Sequence, residues 1–108
     1  MAVKPIIDRQ KLYELLTTVP RGHVITYAQL AELLGNRQWA RTVGSALHKN
    51  PDGERYPCYK VVNSKGRLSR RYAFGGIDEQ RHRLQAEGIT VDKDTVDLNR
   101  YGVNFHGV

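Results

Sequence analysis

Between Thr26 and Asn50 the chain has room for two short helices and one sharp turn. Thr26 and Gln29 stand at capping-box spacing, where side chain and backbone satisfy each other's free groups. Leu30, Ala31, Leu33 and Leu34 follow as an apolar face. Gly35 suits the end of that helix because it accepts positive φ without steric cost. The spacing then predicts a second helix from about Gln38 to Lys49, with Ala40, Val43 and Leu47 on its buried side. Asn50-Pro51-Asp52-Gly53 stops it. Two short helices joined by a tight Gly-containing turn, the second one basic, form the helix-turn-helix pattern. The second helix carries no acid. Arg37, Arg41 and Lys49 accompany Thr42, Gly44, Ser45 and Ala46, small side chains that let a backbone approach a nucleic-acid groove. The competing reading is a helix hairpin packed in a core, with Gly44 and Ala46 at the crossing.

Charge separates these readings in part. The net charge is +6. From Asn36 to Ile77 nine basic residues face only Asp52 and Glu54, a net of +7, while the remainder nets −1. A one-sided basic block is an electrostatic footprint for a polyanion, most often nucleic acid. The basic residues form no single amphipathic helix, so membrane binding is not expected. No apolar run approaches the ~20 residues that span a bilayer. At 108 residues the chain suits one domain over 1–108, a monomer, with no N-terminal domain ahead of it. One cysteine excludes an internal disulfide and a thiolate zinc site. His23, His48, His82 and His106 share no metal-ligand spacing, so no metal and no cofactor are expected. A reduced, cytoplasmic setting follows, nucleoid-associated when bound to DNA.

The flanking elements are short. A first helix is expected over about Asp8 to Thr18, with Leu12, Leu15 and Leu16 at helical spacing and Pro20 beyond its end. Arg21-Gly22 turns the chain and Val24-Ile25 is an apolar bridge. Tyr59 to Asn63 reads as a strand, with Ser64-Lys65-Gly66 as its turn. Arg67 to Phe74 is a basic loop closed by Gly75-Gly76. A last helix is expected from about Asp78 to Glu87, ended by Gly88. Ile89 to Val91 and Thr95 to Leu98 pair as a small hairpin, and Asn99 to Val108 reads as a surface tail. The fold class is mainly α with a small β hairpin, a helix-turn-helix or winged-helix-like DNA-binding domain.

The chemistry concentrates in Pro57-Cys58-Tyr59-Lys60-Val61-Val62. A lone cysteine is a potential nucleophile. It is also, commonly, a small buried hydrophobe. Motifs on both sides decide between these. Gly22-His23-Val24-Ile25-Thr26-Tyr27, Ala40-Arg41-Thr42-Val43-Gly44-Ser45-Ala46, Asn50-Pro51 before Pro57-Cys58, and Gly75-Gly76 followed by Ala86-Glu87-Gly88 occur in one order and register. From about Leu12 to Gly88 the chain resembles the C-terminal, DNA-binding domain of the O6-alkylguanine-DNA alkyltransferases, the methylated-DNA–protein-cysteine methyltransferases. It also resembles the alkyltransferase-like proteins related to them.

The resemblance implies roles. The recognition helix enters the minor groove of double-stranded DNA containing O6-alkylguanine, and the damaged base is flipped into a pocket beside Cys58. Arg41 is the finger that fills the vacated space. Tyr27 crowds the phosphate and helps rotate the nucleotide. Asn50 is a hinge residue that holds the site's backbone. Thr42, Gly44, Ser45, Lys60 and Ser69 join the DNA-binding set. Flipping costs a few kcal/mol of unstacking, and Lys and Arg contacts to phosphate supply a salt-sensitive affinity. The family's reaction is SN2 transfer of the alkyl group from guanine O6 to the cysteine sulfur, once per protein molecule. Its relay runs from Cys through a water to the following His, which a Glu orients. Cys58 matches the nucleophile and Glu87 the carboxylate.

Tyr59 stands where that His is expected, and Lys60 where Arg usually follows. A tyrosine with its pKa near ~10 is a donor at neutral pH and a poor base. Base catalysis typically contributes ~10²–10⁴-fold, so Cys58 would react slowly, helped by positive charge from Lys60. Two readings stay open: a stoichiometric alkyltransferase, or a non-enzymatic lesion sensor that recruits other DNA-repair proteins. A helix-turn-helix transcription factor without damage recognition is a third, which Cys58 and Glu87 argue against. The loop Arg67 to Phe74 is about two residues longer than the family pattern, making Ser69, Tyr72 and Phe74 candidates for the pocket wall. Trp39 is expected to cap the packing of the third helix, and His48 to lie near phosphate. His82 shares a helix with Glu87, and nothing in the sequence brings it to Cys58.

Overall fold

The computed structural model describes residues 6–103. Helix α1 covers Arg9–Leu16, capped by Asp8, whose carboxylate accepts from the Lys11 N–H at 3.0 Å. The chain then turns into a two-residue strand, β1, Ile25–Thr26. Thr26 caps α2, Tyr27–Leu34, through the expected reciprocal pair: Gln29 N–H donates to Thr26 Oγ1 at 3.1 Å, and Thr26 N–H to Gln29 Oε1 at 3.0 Å. Gly35 ends α2 at φ +130°, a conformation that L side chains rarely adopt. The second helix of the pair is shorter than expected. Its entry is a 3₁₀ turn, Arg37–Trp39, and regular α3 spans Ala40–Leu47. Asn36 holds that turn by accepting from the Gln38 N–H at 2.9 Å, and Trp39 stacks its ring beside Gly35.

The cysteine motif does not enter a strand at Tyr59. Pro57 breaks the extended run. Cys58–Lys60 wind into a 3₁₀ turn, closed by Lys60 N–H to Pro57 O at 3.1 Å. Only Val61–Val62 form strand β2. It lies parallel to β1, with Ile25 opposite Val61 and Thr26 opposite Val62. Helix α4 covers Gly76–Ala86 and so begins earlier than expected, because Gly75 and Gly76, at φ +125° and +76°, complete the reversal themselves. Asp78 and Glu79 fall in its first turn, where the helix dipole favours acids.

The hairpin forms, with shorter strands than expected and the first one displaced toward the turn. Strands β3, Val91–Asp92, and β4, Thr95–Val96, are antiparallel. Lys93 and Asp94 make the two-residue turn at φ +50° and +60°, as a turn matched to strand twist requires. The segment after it is not a surface tail. Asp97 caps a one-turn helix, α5, Leu98–Tyr101. Val24 N–H donates to Tyr101 O at 2.8 Å, and Val103 N–H to Val24 O at 2.9 Å. Tyr101 is buried. Residues 104–108 of that expected tail, with His106, lie outside the described residues.

Two apolar cores result. One joins α1, α2 and α3 through Leu12, Leu16, Leu30 and Val43, all fully buried, and reaches Cys58. The other joins Val62, Leu84, Ile89 and Val96 beneath α4 and the hairpin. The Cys58–Lys60 turn lies at the seam between them, so its geometry is set from both sides. Among the described residues no helix is long and apolar enough to cross a membrane.

Candidate nucleic-acid interface

A cavity of about 510 Å³ opens between α3 and the Cys58–Lys60 turn. Small side chains on α3 make the room: Ala40, Gly44 and Ser45 line it, and Gly44 lies against the Tyr27 ring. Cys58 and Val61 form the floor, while Ser69 and Tyr72 of the basic loop form the opposite wall. Among the described residues the lining contains no carboxylate, and Arg41, Lys49 and Arg71 border it. Of the nine basic residues between Asn36 and Ile77, eight are exposed. The basic block is therefore a surface, and the cavity opens onto it.

The sequence-expected residues divide into three groups. Tyr27, Arg41, Gly44, Ser45 and Ser69 share the cavity with Cys58. Thr42 is on α3, half-buried, and outside the lining. Asn50 and Lys60 are interior. Asn50 donates through Nδ2 to Tyr56 O at 2.8 Å and accepts from the Asp52 N–H at 3.0 Å, which pins the loop leading to Cys58. Lys60, expected at the DNA, is instead buried, and this corrects the sequence reading. Its Nζ pairs with Glu87 Oε1 at 3.2 Å and donates to the carbonyls of Val19 and Pro20 at 3.1 and 3.2 Å.

Glu87 is the centre of this buried network. Oε1 also accepts from the Gly22 N–H at 2.9 Å, and Oε2 accepts a short hydrogen bond from the Tyr59 hydroxyl. Burial pushes the Glu87 pKa up, but the Tyr59, Gly22 and Lys60 contacts outweigh burial and hold it below the usual carboxylate range. Tyr59 responds in the opposite sense. Burial and the adjacent carboxylate raise its pKa well above the ordinary phenol value. Tyr59 is thus a committed donor to Glu87, with little tendency to take a proton from Cys58.

Cys58 itself is a buried thiol. Burial raises its pKa. The Asn50 side chain, a backbone N–H and the Arg83 charge oppose that rise without cancelling it. Lys60 is not the cation that acts on it, since the ammonium is spent on Glu87 and two carbonyls. His82 points to solvent, with 79% of its side chain exposed, and lies 3.9 Å from Glu79, so it does not stand in for the missing base. His48 is exposed at the cavity edge, its Nδ1 3.2 Å from Arg71 O. Phe74 packs over Gly53 and edge-on to Tyr72, away from the lining.

Gln80 and Arg83 carried no sequence expectation, and Arg71 only its share of the basic block. Gln80 is fully buried and ties the pocket together: Nε2 donates to Tyr59 O and Val61 O, each at 3.0 Å, and Oε1 accepts from the Ser69 N–H at 2.8 Å. Helical spacing puts Gln80 on one face with Leu84 and Glu87, and a polar residue on an apolar face is the signal that identifies it. Arg71, in the basic loop, borders the cavity, and Arg83 lies over the Tyr59 ring. Nothing local in the sequence distinguishes either.

Fold and cavity together define a helix-turn-helix type domain whose second helix borders a base-sized pocket holding a single cysteine. The model of the 6-O-methylguanine DNA methyltransferase DNA-binding domain matches residues 8–89, and the chain belongs to that family. A bifunctional methyltransferase/endonuclease of Picrophilus torridus is 45% identical over 93 residues, 86% of this chain and 30% of that protein. A DNA base-flipping protein of Escherichia coli is 37% identical over 99 residues, 89% of this chain and 74% of its own length. The crystal structure of Schizosaccharomyces pombe Atl1 in complex with damaged DNA containing O6-carboxymethylguanine superposes with a TM-score of 0.80 at 29% identity. That match covers 89% of this chain and 94% of the other.

Proposed function

We propose that this protein binds alkylated duplex DNA with α3 in the minor groove and receives a flipped O6-alkylguanine in the cavity beside Cys58. The observation that carries the reading is the cavity: carboxylate-free, bordered by Arg41, Lys49 and Arg71, and floored by Cys58. Its volume of about 510 Å³ lies within the ~300–1,000 Å³ of sites that enclose small ligands. It therefore has room for one base with its adduct. Relatives named for base flipping and a neighbour bound to an O6-alkylated guanine support the same reading. Arg41 would occupy the gap in the stack, and Tyr27 would press on the phosphate.

In the transfer reading, the Cys58 sulfur attacks the alkyl carbon. The S–C bond forms as the C–O6 bond breaks, and guanine regains its proton. One protein molecule is consumed per lesion. The second reading, a sensor that hands the lesion to other repair proteins, is favoured by a specific observation. The thiol is buried with its pKa pushed up, and the neighbouring hydroxyl is committed to Glu87. Either way the protein works as a monomer in the cytoplasm, on the nucleoid.

One experiment separates these readings. The protein is incubated with a duplex containing a single O6-methylguanine, and its intact mass and its DNA affinity are followed together. A Cys58 adduct supports transfer and rules out the pure sensor. Lesion-selective binding with unchanged mass supports the sensor. Equal affinity for damaged and undamaged duplex at moderate salt overturns both.

A further inference from the structure

One contact crosses the mouth of the cavity. His48, the residue at the C-terminal cap of α3, places its Nδ1 3.2 Å from the Arg71 carbonyl of the basic loop. Both residues line the cavity, one at the end of α3 and one in the opposite wall. Deeper in, Gln80 holds the same wall through the Ser69 N–H at 2.8 Å. The wall is therefore tied to α4 at Ser69 and to α3 at Arg71.

The His48 bond fixes where the ring carries its proton. A carbonyl oxygen only accepts, so Nδ1 is the donor. In the neutral ring Nε2 is then a bare acceptor, and in the imidazolium it becomes a second donor. The side chain is exposed, and Nε2 has no partner among the described residues. A phosphate oxygen also only accepts, so Nε2 can meet one only after taking up a proton. The charged groups around the ring leave that contact to DNA. Arg41 of α3, Lys49 beyond its end and Arg71 of the basic loop are cations bordering the same cavity. The acids of the loop after α3 are engaged elsewhere. Asp52 accepts from the Glu54 and Arg55 N–H groups, each at 3.1 Å, and Glu54 pairs with Arg83 at 3.2 Å. Tyr27, Cys58 and Tyr72, the other titratable groups of the lining, stay neutral up to pH 8, since burial raises all three.

We propose that His48 is a positioning residue that joins the pocket wall to the DNA backbone: Nδ1 holds the Arg71 carbonyl while Nε2 of the imidazolium donates to a phosphate. DNA binding then takes up a proton at this residue. The inference rests on the proposed seating of α3 on alkylated duplex DNA and deepens it.

The test is fluorescence anisotropy on an O6-methylguanine duplex and its undamaged counterpart, over a salt series at about pH 5.5 and 8, either side of the ordinary histidine range. The wild type is expected to bind about threefold to tenfold more tightly at the lower pH. Its salt slope should be steeper there by about 1, the effect of one further phosphate neutralised. His48→Asn keeps a donor at the Nδ1 position and cannot become charged, so it is expected to abolish both pH effects. His48→Ala removes the bridge as well, and is expected to lower the ratio of lesion to undamaged binding about threefold below that of His48→Asn. His82→Gln, on a solvent-facing side chain, is expected to keep the wild-type pH response. Equal affinity and slope at both pH values in the wild type overturn the proposal, as does a pH response that survives in His48→Asn. An unchanged lesion ratio in His48→Ala overturns the role at the wall. Circular dichroism at both pH values checks that each variant is folded. A wild type without lesion preference at either pH would sink the reading of the cavity itself, whereas lesion preference without the pH response sinks only this inference.

Discussion

Replacing Lys60 by Met measures the buried network directly. The ammonium makes three contacts: Glu87 Oε1 at 3.2 Å, Val19 O at 3.1 Å and Pro20 O at 3.2 Å. Its side chain and that of Glu87 are 7% and 6% exposed. Breaking a buried pair from one side costs ~3–5 kcal/mol, because the other charge stays behind uncompensated. Glu87 keeps the Gly22 N–H and the Tyr59 hydroxyl, and Pro20 is exposed, so its carbonyl can turn to water. The cost therefore falls at the lower end, about 3 kcal/mol, or a Tm lower by roughly 12–24 °C for a domain of this size. Thermal unfolding by circular dichroism at neutral pH reads it. The pH dependence follows from the sign of the Glu87 shift. A carboxylate whose folded pKa lies below its unfolded ~4.3 contributes stability that is fully present above that value. The contribution is lost as pH falls through the folded pKa. The gap between the wild type and Lys60→Met is therefore widest near neutrality and narrows below about pH 4. A gap under about 1 kcal/mol at neutral pH, the size of an exposed pair, would refute the reasoning. So would a gap that does not change with acid.

Other substitutions probe the remaining parts of the site. Tyr59→His places a base between Cys58 and a carboxylate already oriented by Lys60 and Gly22. The rate of methyl transfer, followed by intact mass on an O6-methylguanine duplex, is expected to rise about 10²-fold or more. Arg41→Ala is expected to weaken lesion binding by about 1–3 kcal/mol and to lower the salt slope by about 1, while Cys58→Ala leaves affinity nearly intact; fluorescence anisotropy at several salt concentrations checks both. Gln80→Leu removes three hydrogen bonds in the interior and is expected to cost about 2–4 kcal/mol. It should also reduce the ratio of lesion to undamaged binding, because Ser69 loses its anchor.

What the sequence disclosed follows the range of the forces involved. The α2–turn–α3 unit was legible because its determinants are local: a capping box three residues long, a Gly with positive φ, an apolar face at helical spacing. The segment after Val96 was misread because α5 is a single turn without a measurable period. Its burial depends on Val24, far away in sequence. Cys58 was legible as a candidate nucleophile, and Glu87 as its distant carboxylate, through motif register alone. Lys60 was not. Counting charges along a segment says nothing of direction, and the 3₁₀ turn after Pro57 makes Lys60 interior while its neighbours in the count stay exposed. Gln80 and Arg83 belong to the same category, since their meaning appears only when α4 is laid against the cysteine turn.

The exchange of a base for a donor beside Cys58 changes the chemistry in kind. A relay needs a terminal group able to receive charge as the proton leaves. Here Glu87 is held ionised by three donors, and Tyr59 already gives it a proton in a hydrogen bond. Each Glu87 oxygen therefore already has a donor, and the Tyr59 hydroxyl is engaged as a donor rather than free to receive the thiol proton. Such a network fixes the turn that carries Cys58 and moves no proton. The SN2 step needs only a thiolate with its sulfur aligned on the alkyl carbon, so losing the base costs thiolate population and leaves the alignment intact. In the transfer reading, slow reaction and lesion binding would be two readouts of one pocket, differing in how long the adduct stays beside the sulfur.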